Sequence, residues 1–456
     1  MKRHEVDVLN GSIGKNLILF TIPLILTGIL QLLYNAADII VVGQFAGSNS
    51  VAAVGATASL TGLLVNLFLG LSTGASVSVA NCIGAKDFKA THKTVHTAIT
   101  LAIIGGIILA IIGFVFSKPL LNIMNTPSDI IDEAALYMKI IFLGMPANIV
   151  YNFGAAILRA KGDTKNPLIF LSIAGIINVI LNLFFIILFN MGAEGVGIAT
   201  ITSQLISAVF VVVHLSKLND ETKLSISKLR IYKYPMLKIL RIGIPAGLHS
   251  ILFSISNTLI QSSINSFGSD VIAGNSAAIN LEGFAYTTAN SMNQTLITFL
   301  GQNHSANKYS RIKRIMLTAF IQNVVITTAI SLLIILLRKP LITLYIPKNP
   351  VVISYGMDRI VITLSMYFTL ALMECFTGSL RGLGYSFVPM LTSVFGVCGI
   401  RIFWVFFIFP IFNTPASLYI SYPVSWIVTD LIFLPYLIYV YKKTVSKELR
   451  TKNAAI

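Results

Sequence analysis

Five ionisable side chains stand inside long apolar stretches of this 456-residue chain: the acids Asp38, Glu282, Glu374 and Asp430, and the base Arg401. A charge at mid-bilayer costs about 2.5–3.5 kcal/mol on insertion scales. Five lipid-facing charges would together cost more than roughly 12 kcal/mol, comparable to a whole protein's stability. They must line a cavity, pair, or carry a proton, so each is a functional candidate. Arg401 and Asp430 could neutralise one another as a buried pair between the last two spans.

Asp38 has the most informative surroundings. Thr27, Gln31, Tyr34 and Asp38 are spaced four, three and four residues apart and share one helix face. A polar stripe on an otherwise apolar helix predicts a water-filled interior. Pro23, in the same helix, removes the hydrogen bond to the Leu19 carbonyl and favours a hinge. A carboxylate on such a helix can couple protonation to bending. Asn178 and Asn182, with Ser172 and Gly175, make a second stripe; Thr200, Ser203 and Ser207 make a third. Amide, hydroxyl and carboxylate oxygens suit a hard cation, and they suit interhelical hydrogen bonds as well. Glu282, Tyr286 and Asn293 share a face further along, and Glu374 lies in a later apolar stretch.

The elements that position these residues must be membrane helices. Charged residues make up 11% of the chain and apolar residues 55%, with a mean hydropathy of +0.82. Ordinary soluble domains carry about 25% charged residues, and disorder requires low hydrophobicity, so both classes are excluded. Twelve stretches of about 20 mostly apolar residues follow, from 15–40 to 416–441. The first is long and polar in its second half, which predicts a retained helix rather than a signal peptide. Most of the 33 Lys and Arg, which exceed Asp and Glu by 16, fall in alternate loops. That bias predicts both termini in the cytoplasm. The loop 338–359, placed outside, is more basic than the rule prefers, and Arg359 is counted there.

The chain repeats itself. Leu158-Arg159-Ala160-Lys161-Gly162 resembles Leu380-Arg381-Gly382-Leu383-Gly384, and Ile22-Pro23 matches Ile244-Pro245, both at an offset of 222. Six spans per half predict parallel repeats. The division is residues 1–220 (first lobe), 221–235 (cytoplasmic linker) and 236–456 (second lobe). Ile260 stands where the repeat of Asp38 would fall. Other motifs point away from catalysis. Gly70-Leu71-Ser72-Thr73-Gly74 fits a nucleophile elbow but sits in an apolar span, where Gly70 and Gly74 better serve close helix approach. His92 and His96 have metal-ligand spacing with no further ligand nearby. Cys82, Cys375 and Cys398 suggest no disulfide framework, and a phosphate-binding loop is missing. No catalytic residue, metal site or cofactor is expected.

Tyr34-Asn35-Ala36-Ala37-Asp38, Gln44-Phe45-Ala46-Gly47, Gly84-Ala85-Lys86-Asp87, Leu158-Arg159-Ala160-Lys161-Gly162-Asp163 and Arg381-Gly382-Leu383-Gly384 resemble the multidrug and toxic compound extrusion (MATE) family over essentially the whole chain. The resemblance implies an all-α polytopic membrane protein of twelve transmembrane helices in two six-helix lobes forming a V. It also implies alternating access and export of organic, often cationic, compounds against Na+ or H+. By resemblance, Asp38 matches the family's first-helix acid, Asn178 and Thr200 match its partners, and Pro23 matches the hinge. Asn182 stands where many members carry a second acid. The implied cation or proton site is Asp38, Asn178, Asn182 and Thr200. The substrate cavity is expected to draw on Thr27, Gln31, Tyr34, Glu282, Tyr286, Asn293 and Glu374. The expected protein is an antiporter of a bacterial cytoplasmic membrane, acting as a monomer on small organic substrates and binding no nucleic acid. The alternatives are a lipid-linked oligosaccharide flippase of the same superfamily and, more distantly, an intramembrane enzyme.

Overall fold

The computed structural model describes residues 5–124, 126–346 and 349–453; Lys2, Arg3 and Lys348 of the charge balance lie outside them. The first half contains α1 (Ile13–Phe45), α2 (Ser48–Gly84), α3 (Phe88–Ile123), α4 (Ile131–Leu143), α5 (Met145–Lys161), α6 (Lys165–Leu183, prolonged by a π turn at Phe184–Leu188) and α7 (Ala193–Lys217). The second begins with α8 (Lys233–Asn265), α9 (Ser269–Ser305), α10 (Tyr309–Leu336), the short α11 (Arg338–Tyr345), α12 (Pro350–Leu364) and α13 (Tyr367–Gly382). Then α14 (Phe387–Ser393), α15 (Ile400–Phe403) and α16 (Phe409–Phe412) are joined into one span by π turns at Val394–Gly399 and Trp404–Ile408, before α17 (Pro415–Asn453).

Among the described residues, nine helical stretches are long and apolar enough to cross a bilayer, and two bent pairs, α4–α5 at 44° and α12–α13 at 49°, make eleven. The twelfth is α9. Its 37 residues are ample for a crossing, but Asp270, Glu282 and many Asn, Ser and Thr dilute its apolar character. The chain is therefore a polytopic, all-α membrane protein of twelve spans, six in each half. Its packing suits lipid. Along α3, Ile104, Ile108, Ile111 and Val115 face outward, while Ala98, Ala102, Gly106 and Gly113 are buried. Small residues at helix contacts let backbones approach closely, and lipid is as apolar as the isoleucines it meets.

The repeat is written in the backbone. Left-handed residues recur in pairs: Gly47 and Gly268 (φ 89 and 92), Lys86 and Asn307 (φ 55 and 57), Gly162 and Gly384 (φ 111 and 91). The two sharp breaks, at Gly144 and at Ser365–Met366, also correspond. α1, by contrast, runs through Pro23 as one continuous helix.

The chain forms two compact units, Met1–Val6 with Ile22–Gly247, and Asp7–Thr21 with Leu248–Ile456. The start of α1 belongs to the second unit and the start of α8 to the first, and each helix changes unit within two residues of its proline. Within the first unit, α2 crosses the start of α8 glycine on glycine: a Cβ on Gly70 would strike the backbone at Gly247, and one on Gly74 would lie 2.7 Å from Gly243 N. This is the close approach expected of Gly70 and Gly74. Within the second unit, Lys308 Nζ donates to the Leu9 carbonyl at 3.1 Å and Arg311 Nη2 to that of Gly11 at 3.0 Å. The connection 218–232 is pinned rather than loose. Ser225 N donates to His96 Nε2 at 3.0 Å, Tyr232 N donates to Thr97 Oγ1 at 3.1 Å, and Asp220 pairs with Lys161 at 2.5 Å.

One charge assignment is corrected. The segment 338–359 is no exposed loop: α11 and α12 occupy most of it, and Arg359 is only 2% exposed. Its neighbour in space, Glu282, supplies the reason.

Candidate functional site

Each unit holds a polar cavity of its own. In the first unit, Asn182 Nδ2 donates to Asp38 Oδ1 at 2.5 Å and contacts Asn178 Oδ1 at 3.3 Å, while Asn178 Nδ2 donates to Thr200 Oγ1 at 3.4 Å. The i,i+4 spacing on α6 puts both amides on the face that meets α1 and α7. Asp38 thus meets a neutral amide and not a base. Asn178 and Asn182 are buried, whereas Asp38 is half-buried. The Asn182 Oδ1 atom is buried and has no hydrogen-bond partner among the described residues. A buried acceptor left this way costs about 1–3 kcal/mol.

Beside this chain of amides lies a cavity of about 290 Å³, lined by Gln31, Tyr34, Asn178, Thr200, Ser203 and Ser207 among others. The Tyr34 hydroxyl donates to the Leu171 carbonyl at 2.8 Å, and its ring covers Gly175 so closely that a Cβ there would run into it. Thr27 is not part of this lining. It is buried, and its hydroxyl donates to the Pro23 carbonyl at 2.7 Å. The sequence reading missed Asn148, Asn152 and Gln204, which also line the cavity. Asn148 and Asn152 have the same i,i+4 spacing that singled out Asn178 and Asn182, so the signal was present.

The second unit encloses about 400 Å³, lined by Glu282, Tyr286, Arg359, Arg401, Asn257, Trp426 and several aromatic rings. Arg359 grips Glu282 with two parallel bonds, Nε to Oε1 and Nη2 to Oε2, both 2.9 Å. Thr363 Oγ1 donates to Glu282 Oε1 at 2.6 Å, and Arg359 Nη1 donates to Asn275 Oδ1 at 2.7 Å. The carboxylate is therefore fully engaged, as the bidentate fork of arginine allows. Arg359 was missed because it was counted with an outside loop, although it stands within α12.

Two expectations are corrected here. Arg401 and Asp430 do not pair. Arg401 Nη1 donates to Asn257 Oδ1 at 2.6 Å and Nε donates to Ser425 Oγ at 3.2 Å, and Asp430 Oδ1 has no hydrogen-bond partner among the described residues. Ser425, four residues before Thr429 on α17, sits on the face that meets α15, and Asp430 does not. Nor do Glu374 and Asn293 line the cavity. Both are buried, and Asn293 Nδ2 donates to Glu374 Oε2 at 2.7 Å. Glu282 and Glu374 are thus two separate groups, each held by its own hydrogen bonds. His92 and His96 stack with ring centroids 4.0 Å apart, and His96 uses both ring nitrogens, Nδ1 toward the His92 carbonyl and Nε2 toward Ser225 N.

The chain is similar to known proteins over most of its length. A family model described as MatE matches residues 23–184 and again 245–407, one copy per half. The chain is 26% identical over 442 residues to the "Probable multidrug resistance protein YoeA" of Bacillus subtilis, covering 95% of each. It is 23% identical over 401 residues to an "FAD transporter" of Shewanella oneidensis, covering 86% of each. Its fold is similar to that of a MOP superfamily transporter from Pyrococcus furiosus, with a TM-score of 0.89 at 20% identity over 96% of this chain and 98% of that one.

Proposed function

The chain belongs to the MatE family of membrane transporters, and we propose that it exports small organic compounds from the bacterial cytoplasm by antiport against Na+ or H+. The observation that carries the coupling is the unpartnered Asn182 oxygen beside the Asp38 carboxylate. The set offers one negative charge, so it takes one monovalent cation. Asp38 carries the charge, Asn182 and Asn178 supply amide oxygens, and Thr200 holds Asn178 in place. Amide and carboxylate oxygens are the hard donors that Na+ prefers, and the same carboxylate can take a proton.

The cycle follows from charge. With Asp38 ionised, the cluster beside the first unit's cavity carries a free negative charge and takes up the cation. Loading the cation neutralises the carboxylate and removes the cost of holding that charge in the span. Asp38 shares α1 with Pro23, where a backbone hydrogen bond is missing and a bend costs least. Loading and helix shape are therefore linked through one element. Relatives carrying the names YoeA multidrug resistance protein and FAD transporter support organic solutes as the cargo. The positive-inside bias supports both termini in the cytoplasm, and the self-contained cavities support action as a monomer without a cofactor.

The test is dye efflux from proteoliposomes under an imposed Na+ or H+ gradient, comparing wild type with Asp38→Asn. One gradient is expected to drive efflux, naming the ion, and the variant is expected to lose gradient-driven efflux. Efflux indifferent to both gradients, or undiminished in Asp38→Asn, would overturn the proposal.

A further inference from the structure

The first unit's cavity is lined by amides and hydroxyls, with the Asp38 carboxylate behind them on Asn182; the second unit's presents an excess of positive charge. Of its three ionised groups, Arg359 and Glu282 cancel in a bidentate pair, and Arg401 remains. Arg401 is 0% exposed, yet among the described residues none of its hydrogen bonds goes to a carboxylate and its Nη2 has no hydrogen-bond partner. A buried guanidinium without an anion is costly unless something compensates it. Two rings compensate in part: the Arg401 guanidinium carbon lies 4.2 Å from the centroid of Tyr422 and 5.2 Å from that of Phe253. The local backbone is unusual as well. Arg401 sits on α15, a single α-helical turn between two π turns, and π turns recur at functional sites.

From this we propose that the cavity of the second unit is an anion-recognition site, in which Arg401 binds a carboxylate or phosphate group and the surrounding rings hold a planar, apolar body. The proposal deepens the exporter reading and rests on it: it names a class of cargo, aromatic compounds carrying an acidic group. The cavity's roughly 400 Å³ falls within the usual range for small-molecule sites. Tyr286, Tyr367, Tyr422 and Trp426 supply flat surfaces, and the buried Nη2, without a hydrogen-bond partner among the described residues, supplies the donor that the anion needs. Two neighbouring N–H groups of one guanidinium match the spacing of a carboxylate's oxygens.

The test is binding of 2-naphthoate and of the equally sized 2-naphthylmethylammonium to the full chain in detergent, by calorimetry, with no gradient present. The key variant is Asn257→Asp. It sets a carboxylate against Arg401 where the amide oxygen now lies, so it cancels the free charge while leaving the guanidinium compensated and the fold intact. Wild type is expected to prefer naphthoate, and Asn257→Asp and Arg401→Gln are each expected to weaken naphthoate at least tenfold without weakening the ammonium probe. Equal naphthoate affinity in wild type and Asn257→Asp, or a wild-type preference for the ammonium, would overturn the proposal. Because the measurement needs no transport, a failure of gradient-driven efflux with naphthoate selectivity intact would sink the antiport reading alone.

Discussion

Positions that correspond across the two halves carry opposite chemistry. Shifted by 222 residues, Asp38, Asn182 and Thr200 of the first unit fall on Ile260, Trp404 and Tyr422 of the second. Where one half has a carboxylate, an amide and a hydroxyl, the other has an apolar and two aromatic side chains. Conversely Arg359 and Arg401 fall on Tyr137 and Val179. The backbones of the two halves share paired left-handed turns and paired breaks. A duplicated scaffold can therefore hold two electrostatically unlike cavities, because packing depends on small residues at helix crossings while charge depends on a few side chains facing inward.

The sharpest way to break this contrast is to unbalance the second cavity. Glu282→Leu leaves Arg359 buried without its carboxylate, and losing one partner of a buried pair costs about 3–5 kcal/mol. A large drop in thermal unfolding temperature is expected, with most of it restored in the double variant Glu282→Leu, Arg359→Leu. If the single variant unfolds like wild type, the ion pair is not what stabilises this unit. A smaller effect is expected in the first unit from Gly175→Val, which drives a side chain into the Tyr34 ring. Overpacking costs about 1–3 kcal/mol, so thermal stability should fall modestly, and cation-coupled efflux should fall with it as Tyr34 is displaced. Unchanged efflux would separate Tyr34 from the site. The smallest effect is expected from Thr200→Val, which removes one neutral hydrogen bond to Asn178, worth about 0.5–1.5 kcal/mol. Half-saturation of efflux by the driving cation should rise by roughly two- to tenfold, with stability hardly altered. A loss as complete as that of Asp38→Asn would mean that Thr200 binds the cation directly.

Much of this was legible in the sequence, for a physical reason. Polar residues in a membrane span are expensive, so those present stand out, and i,i+4 spacing then assigns them to faces. That logic found Asp38, Asn178, Asn182, Thr200, Gln31 and Tyr34. It faltered where partners come from distant helices. Nothing in the spacing of Arg359 announces Glu282, which lies 77 residues earlier in the chain, and a basic residue near a span's end looks like a loop charge. The pairing of Arg401 with Asp430 failed for the same reason. Adjacent spans set depth, but rotation about each helix decides which side chain meets which, and here the partner is Asn257, 144 residues away. The α9 span was read from its run of mostly apolar residues, although its Asp, Glu, Asn, Ser and Thr make it more polar than the other spans.

The exchange of helix starts between the two units bears on how the chain could be divided. Residues 7–21 belong with the second unit although they precede the first, and residues 233–247 belong with the first although they open the second repeat. A chain severed within the linker 221–235 would give two fragments, each carrying a segment that completes the other. Co-expressed, the fragments should assemble as a split protein and recover efflux; expressed alone, each should aggregate. The halves are in that sense obligate complements, joined by what each has lent the other as well as by the peptide between them.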